Sequence, residues 1–124
     1  MKASRHMDIV RTQQELHRLT GQPAEVAGRY YAVERPVKGI VRKPRPKDHA
    51  LLLLEDGVRV YLEPFESPAS QRPADELRQF EGKRVRVTGI AYERMPARGE
   101  SPLSPCIAEI TQIREEESGE DAGI

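Results

Sequence analysis

The chain has 124 residues, with 20 Lys and Arg balanced by 20 Asp and Glu, 37% apolar residues, 32% charged residues and a single cysteine. This excludes an intrachain disulfide framework, and a net charge of zero singles out no class of partner. No apolar run approaches the roughly 18 residues of a membrane span. Residues 1–7 lack the apolar core of a secretory signal, which makes the cytoplasm the expected compartment. They are set aside as either a flexible end or the remnant of an expression tag, since His6-Met7 commonly closes one. The length suits one domain with about 90 core-forming residues.

Thr12 followed by Glu15 has the form of a capping box, and Leu16 and Leu19 share a helical face that Gly21 ends. A short helix is expected there, starting earlier if Ile9 and Val10 join the same face. Residues 25–34 read as a long strand, with Gly28 marking a bulge or bend and Pro36 a stop. Arg35 to Pro46 then reads as a loop, or as a strand extension followed by a loop, because Pro44 and Pro46 exclude a central strand. Ala50 to Glu63 is the organising hairpin, because two β-type runs flank Asp56-Gly57, which suits the two positive φ angles of a tight turn. Leu51, Leu52, Leu53 and Leu54 read as a strand buried on both faces. In the next strand Val58, Val60 and Leu62 alternate with Arg59, Tyr61 and Glu63.

Pro73, Asp75 and Glu76 form a helix first turn, Leu77 and Phe80 its apolar face, and Gly82 its end. Strands are then expected over residues 83–93 and 106–113, separated by a proline-rich loop. Residues 115–124 are acidic without apolar periodicity, so a disordered tail is expected after a single domain over residues 8–114. That tail reads as a solvating end, or as a competitor of phosphate for basic residues elsewhere. The expected core is Val26, Leu51, Leu53, Val58, Val60, Leu62, Leu77, Phe80, Val85, Val87, Ile90, Ile107, Ile110 and Ile113. Glu15, Leu16, Leu19, Gly21, Val26, Gly28 and Tyr31 recur as Glu76, Leu77, Phe80, Gly82, Val87, Gly89 and Tyr92 at an offset of 61, for Leu16 and Leu77 as for Gly21 and Gly82. Duplication and convergence on one local solution both account for this echo.

Five strands, a glycine-bent first strand and a helix between the third and fourth make a mainly β order. Through Val26-Ala27-Gly28, the 51–62 hairpin, the 73–80 helix and the 82–89 segment, it resembles the OB-fold, a small Greek-key barrel. The likeness covers residues 22–113, with the N-terminal helix outside it. An SH3-like barrel is the nearest alternative. The resemblance implies binding of oligonucleotides or oligosaccharides through a sheet face and its loops.

No pattern of side chains points to catalysis. Asp48-His49 has no third ligand or nucleophile, Cys106 reads as a small buried side chain, and the glycines are dispersed stops and bends. No enzyme activity, cofactor or metal is expected. Residues 35–47 carry six basic residues and no acidic one. Lys38, Arg42, Lys43, Arg45 and Lys47 could neutralise phosphates, with Arg86 extending the patch and Arg84, Arg94 and Arg98 near it. Tyr31, Tyr61 and Tyr92 could stack bases, and Tyr30 is an alternative to Tyr31. The resulting expectation is a non-catalytic module binding single-stranded DNA or RNA weakly. Val37, Ile40 and Val41 inside the basic loop favour the alternative, an adaptor docking on a protein partner in a larger bacterial-type assembly.

Overall fold

The computed structural model describes residues 8–34, 43–65, 67–94 and 104–116. Its elements are β1 (Ile9–Val10), α1 (Gln13–Arg18), β2 (Gln22–Val33), β3 (His49–Leu53), β4 (Arg59–Leu62), a 3-10 turn (Pro68–Ser70), α2 (Ala74–Phe80), β5 (Arg84–Tyr92) and β6 (Cys106–Glu115). The strands run in the order β1-β2-β3-β4-β6-β5, and β5 pairs back with β2. The result is mainly β: a closed barrel of five strands, compatible with the expected OB-like barrel, with α2 between β4 and β5. β4 and β6 are parallel, whereas the other barrel pairs are antiparallel. Among the described residues no helix is long and apolar enough to cross a membrane.

The N-terminal helix starts later than its apolar spacing suggested. Thr12 is extended at φ −140°, and its side chain accepts from the Glu15 N–H. The Glu15 carboxylate in turn accepts from the Arg11 N–H at 2.7 Å. This cap fixes the helix start at Gln13 and frees Ile9 and Val10 to form β1, which pairs parallel with Glu25 and Val26.

The long strand β2 serves two neighbours. Gln22 to Arg29 pair with β5, and Arg29 to Val33 pair with β3. At the handover a Cβ on Gly28 would lie 2.8 Å from the Leu53 carbonyl oxygen. Gly89 occupies the matching place in β5, where a Cβ would lie 2.5 Å from the Ala108 carbonyl oxygen, beside a register shift between Thr88 and Ile90. Both bends therefore need a residue without a side chain.

The sequence echo has a spatial counterpart. Val26 pairs with Val87, its own repeat. Gly21 N–H donates to the Ala91 carbonyl at 2.6 Å, and Gly82 N–H donates to the Tyr30 carbonyl at 2.8 Å. Each bond maps onto the other at the same offset, so the two helix–strand units are related by a local twofold axis through the β2–β5 pair. Tyr31 opposite Leu51 and Tyr92 opposite Cys106 continue the correspondence into β3 and β6.

The central hairpin forms with a different turn from the one expected. The Leu54 carbonyl accepts from Gly57 N–H at 2.9 Å, and Leu54 N–H donates to the Val58 carbonyl at 2.8 Å. Only Gly57 has positive φ, at 91°, while Asp56 does not. Glu55 and Asp56 thus form the corners of an ordinary turn, and Gly57 carries the left-handed residue of the following bulge. The leucine strand also has the opposite phase. Ala50, Leu52 and Leu54 enter the core, Leu51 is buried outside that cluster, and Leu53 is half-buried. An unbroken leucine run carries no alternation to show its inward face. Pairing decides it: Leu52 lies between Tyr30 and Val60, and all three are fully buried.

Val26, Val60, Leu62, Phe80, Val85, Val87 and Ile107 are buried as expected. Val58, Leu77, Ile110 and Ile113 pack against this core from partly exposed positions. The Tyr30 ring lies 5.8 Å from Phe80, and its hydroxyl donates to Glu76 Oε2 at 2.7 Å. Burial and the adjacent carboxylate push the Tyr30 phenol pKa up. Tyr30 is therefore a core residue and presents no stacking face. Arg72, just ahead of the helix, grips the same Glu76 through two bonds of 2.8 Å and so holds the carboxylate that Tyr30 of β2 reaches.

Candidate functional site

Tyr31, Leu51, Tyr61, Cys106 and Tyr92 occupy one register row across β2, β3, β4, β6 and β5. Their chain neighbours Tyr30, Leu52, Val60, Ile107 and Ala91 are all fully buried in the barrel interior. Alternation along each strand therefore puts the row on the outer surface. The three tyrosines are half-buried, and Leu51 and Cys106 fill the row between them. At about 4.8 Å per strand, successive tyrosines stand about 10 Å apart. Tyr61 is further braced by Phe65, edge-on at a centroid distance of 4.8 Å. Burial, with a contribution from Glu63, pushes the Cys106 thiol up to about 12, so this sulfur is an inert filler of the row.

Beside Tyr61 lies an open groove of about 830 Å³ with Val58 and Arg59 on the hairpin side. Its other wall is built from Gln13 and His17 of α1 and from Glu93, Arg94, Ser104 and Pro105 of the β5–β6 connection. The wall is held by polar contacts. Glu93 accepts from Gln13 Nε2 at 2.8 Å and pairs with His17 Nδ1 at 2.9 Å. Asp56 at the hairpin tip accepts from Gln13 N–H at 2.7 Å. The added helix α1 is thus joined to both the hairpin and the β5–β6 connection. Arg59 and Arg94 are exposed and have no acidic partner among the described residues.

Of the basic loop, Lys43, Arg45 and Lys47 are described; none has an ion-pair partner among the described residues. Lys38, Arg42 and Arg98 lie outside the described residues. The loop runs into β3 at His49, two residues from Leu51 of the row. The row visits every strand of the closed barrel and so winds around it: Tyr31, Tyr61 and Tyr92 share one register, each two strands from the next, with Tyr61 midway and Lys43, Arg45 and Lys47 preceding β3 near the β2 end.

Arg86 belongs to a different set. Its Nε donates to Glu116 Oε2 at 2.9 Å, and its Nη1 lies 3.4 Å from Glu25 Oε1. Arg11 holds the same Glu116 at 2.6 Å and 3.3 Å, and Arg114 reaches Glu25 at 3.6 Å. Hydrogen bonds from Arg11 and then Arg86 outweigh burial and hold the Glu116 carboxyl below its usual range. Glu116 was expected in the tail, yet its side chain is only 9% exposed and β6 runs to Glu115. This arginine–carboxylate network locks the last strand to the start of the chain.

Sequence reasoning passed over Arg59 as a site residue, although its alternation with Val58 and Val60 marks it as outward. Among the described residues no three His, Cys, Asp or Glu side chains converge on a metal-sized site. No protein-family description, curated protein or solved structure significantly matches the chain.

Proposed function

We propose that this chain is an OB-like Greek-key barrel that binds single-stranded nucleic acid, without catalysis and with little sequence preference. The strand order, the parallel β4–β6 pair and the position of α2 support the architectural part of this reading. So do the two long connections, β2–β3 and β5–β6, which both open beside the tyrosine row.

The observation that carries the functional part is that Tyr31, Tyr61 and Tyr92 share one outward register row, with Tyr61 lining a groove beside Arg59 and Arg94, cations that have no carboxylate partner among the described residues. Aromatic faces stack on any base, and cations along the row's margins track phosphates. Lys43, Arg45 and Lys47 serve one end, and Arg59 and Arg94 the groove beside Tyr61.

The test is fluorescence anisotropy with labelled single strands of about 20 nucleotides, which exceeds the usual footprint of one such barrel. Binding is expected in the micromolar range at low salt, weakening steeply as salt rises. Replacing Arg42, Lys43, Arg45 and Lys47 with Glu should abolish it. Absence of binding at low salt would remove this reading in favour of the adaptor, whose apolar contacts through Val37, Ile40 and Val41 are insensitive to salt.

A further inference from the structure

The basic loop ends at a second concavity, of about 390 Å³, lined by Arg45, Asp48, His49, Ser67 and Gln71 among others. His49, the first residue of β3, is 8% exposed. Its Nδ1 lies 2.8 Å from Asp48 Oδ1, and Asp48 Oδ2 accepts from Gln71 Nε2 at 2.8 Å. The Asp48 carbonyl also accepts from Arg72 N–H at 2.8 Å, so the carboxylate is fixed through its backbone as well. Burial tends to raise the Asp48 pKa, but hydrogen bonds from His49 and Gln71 leave it lowered. An ionised carboxylate can only accept, so the proton of a neutral imidazole sits on Nδ1 and Nε2 keeps its lone pair. Among the described residues Nε2 has no hydrogen-bond partner. Because His49 lines the concavity, Nε2 is available to a donor that enters it.

We propose that His49 Nε2 accepts a hydrogen bond from a ribose 2′-hydroxyl, which makes the chain prefer single-stranded RNA to DNA. This rests on the nucleic-acid reading above and assigns its substrate class. Three features select a ribose. His49 is two residues from Leu51 on the same face of β3, and Phe65, which packs edge-on against Tyr61, also lines the concavity. Arg45 lines the concavity and brings a phosphate to its rim. A lone pair repels phosphate oxygen and attracts a donor, and the donor that the backbone itself carries is the 2′-hydroxyl, which DNA lacks.

The experiment titrates the full chain into labelled strands of one adenine–cytosine sequence made as RNA, as DNA and as 2′-O-methyl RNA. The methyl ether keeps the ribose oxygen but removes its proton. RNA is expected to bind about three- to tenfold tighter than both others, the range of one net hydrogen bond. His49→Phe keeps a planar ring without nitrogen and should bring all three to the DNA value. Should that variant fail to fold, Asp48→Asn offers a side-chain amide that favours the opposite tautomer, and it should shrink the RNA preference. Equal binding of RNA and DNA, or of RNA and its methyl ether, overturns the assignment while leaving the nucleic-acid reading intact. Failure of all three strands to bind overturns both.

Discussion

Arginine has opposite situations on the two sides of this barrel. On the side built from β1, β2, β5 and the end of β6, Arg11, Arg86 and Arg114 are matched by Glu25 and Glu116. On the side built from β3, β4 and the two long connections, Arg45, Arg59 and Arg94 have no carboxylate within reach among the described residues. A net charge of zero conceals this partition. Matched guanidinium groups have exchanged water for fixed carboxylates and contribute to folding, whereas unmatched ones remain available to an external anion.

Removing the shared carboxylate should produce the largest effect on this contrast. Glu116→Ala leaves Arg11 and Arg86 facing each other across a partly buried site, and should cost about 2–3 kcal/mol. Urea denaturation at neutral pH measures it. The pH dependence has a defined sign. Because the folded pKa of Glu116 is depressed, its contribution is full above the unfolded carboxyl value and is lost as pH falls through the folded value. The stability gap between the wild type and Glu116→Gln should therefore close on acidification. Nucleic-acid affinity, measured where both proteins are folded, should not change.

On the other side the corresponding lesion is Tyr61→Ala. Tyr61 lies at the centre of the row and is braced by Phe65, so it should be the best-ordered stacking face. Its loss should weaken single-strand binding by about 1–3 kcal/mol, the contribution of one stacked base. The salt dependence should stay as it was, because no cation is removed. A change in slope would mean that the mutation had displaced the basic residues as well.

The separation of the two sides was only partly legible in the sequence. The alternation of Val58, Val60 and Leu62 with Arg59 and Tyr61 was readable, and so were the glycine stops, the bends at Gly28 and Gly89 and most of the core. The tyrosine row was not. It depends on register across five strands, and register passes through a leucine strand whose phase no local pattern specifies. Arg86 was grouped with the basic loop because its carboxylates are distant: Glu116 comes 30 residues later and Glu25 lies 61 residues earlier. Pairing at that range is a property of the closed barrel, as is the burial of Glu63. There the chain takes φ 74°, and the carboxylate accepts from Glu109 and Ile110 N–H groups at 3.3 Å and 3.1 Å. Nothing around Glu63 in sequence marks it as the support for a kink in β6.

The smallest expected effect is also the most discriminating, because it compares one arginine from each side. Arg59 is exposed on β4 next to Tyr61, and Arg86 on β5 is held by two carboxylates. Arg59→Gln should leave stability within about 0.5 kcal/mol of the wild type, as expected of an exposed surface position. In nucleic-acid titrations it should lower the salt slope by about one phosphate contact and reduce affinity a few-fold. Arg86→Gln should do the reverse: about 1 kcal/mol less stable from the lost charge-assisted bonds, with an unchanged salt slope. If both substitutions altered the slope equally, the carboxylates around Arg86 would not be neutralising it towards an external phosphate. The functional distinction between matched and unmatched arginines would then fail, even though the ion pairs themselves remained.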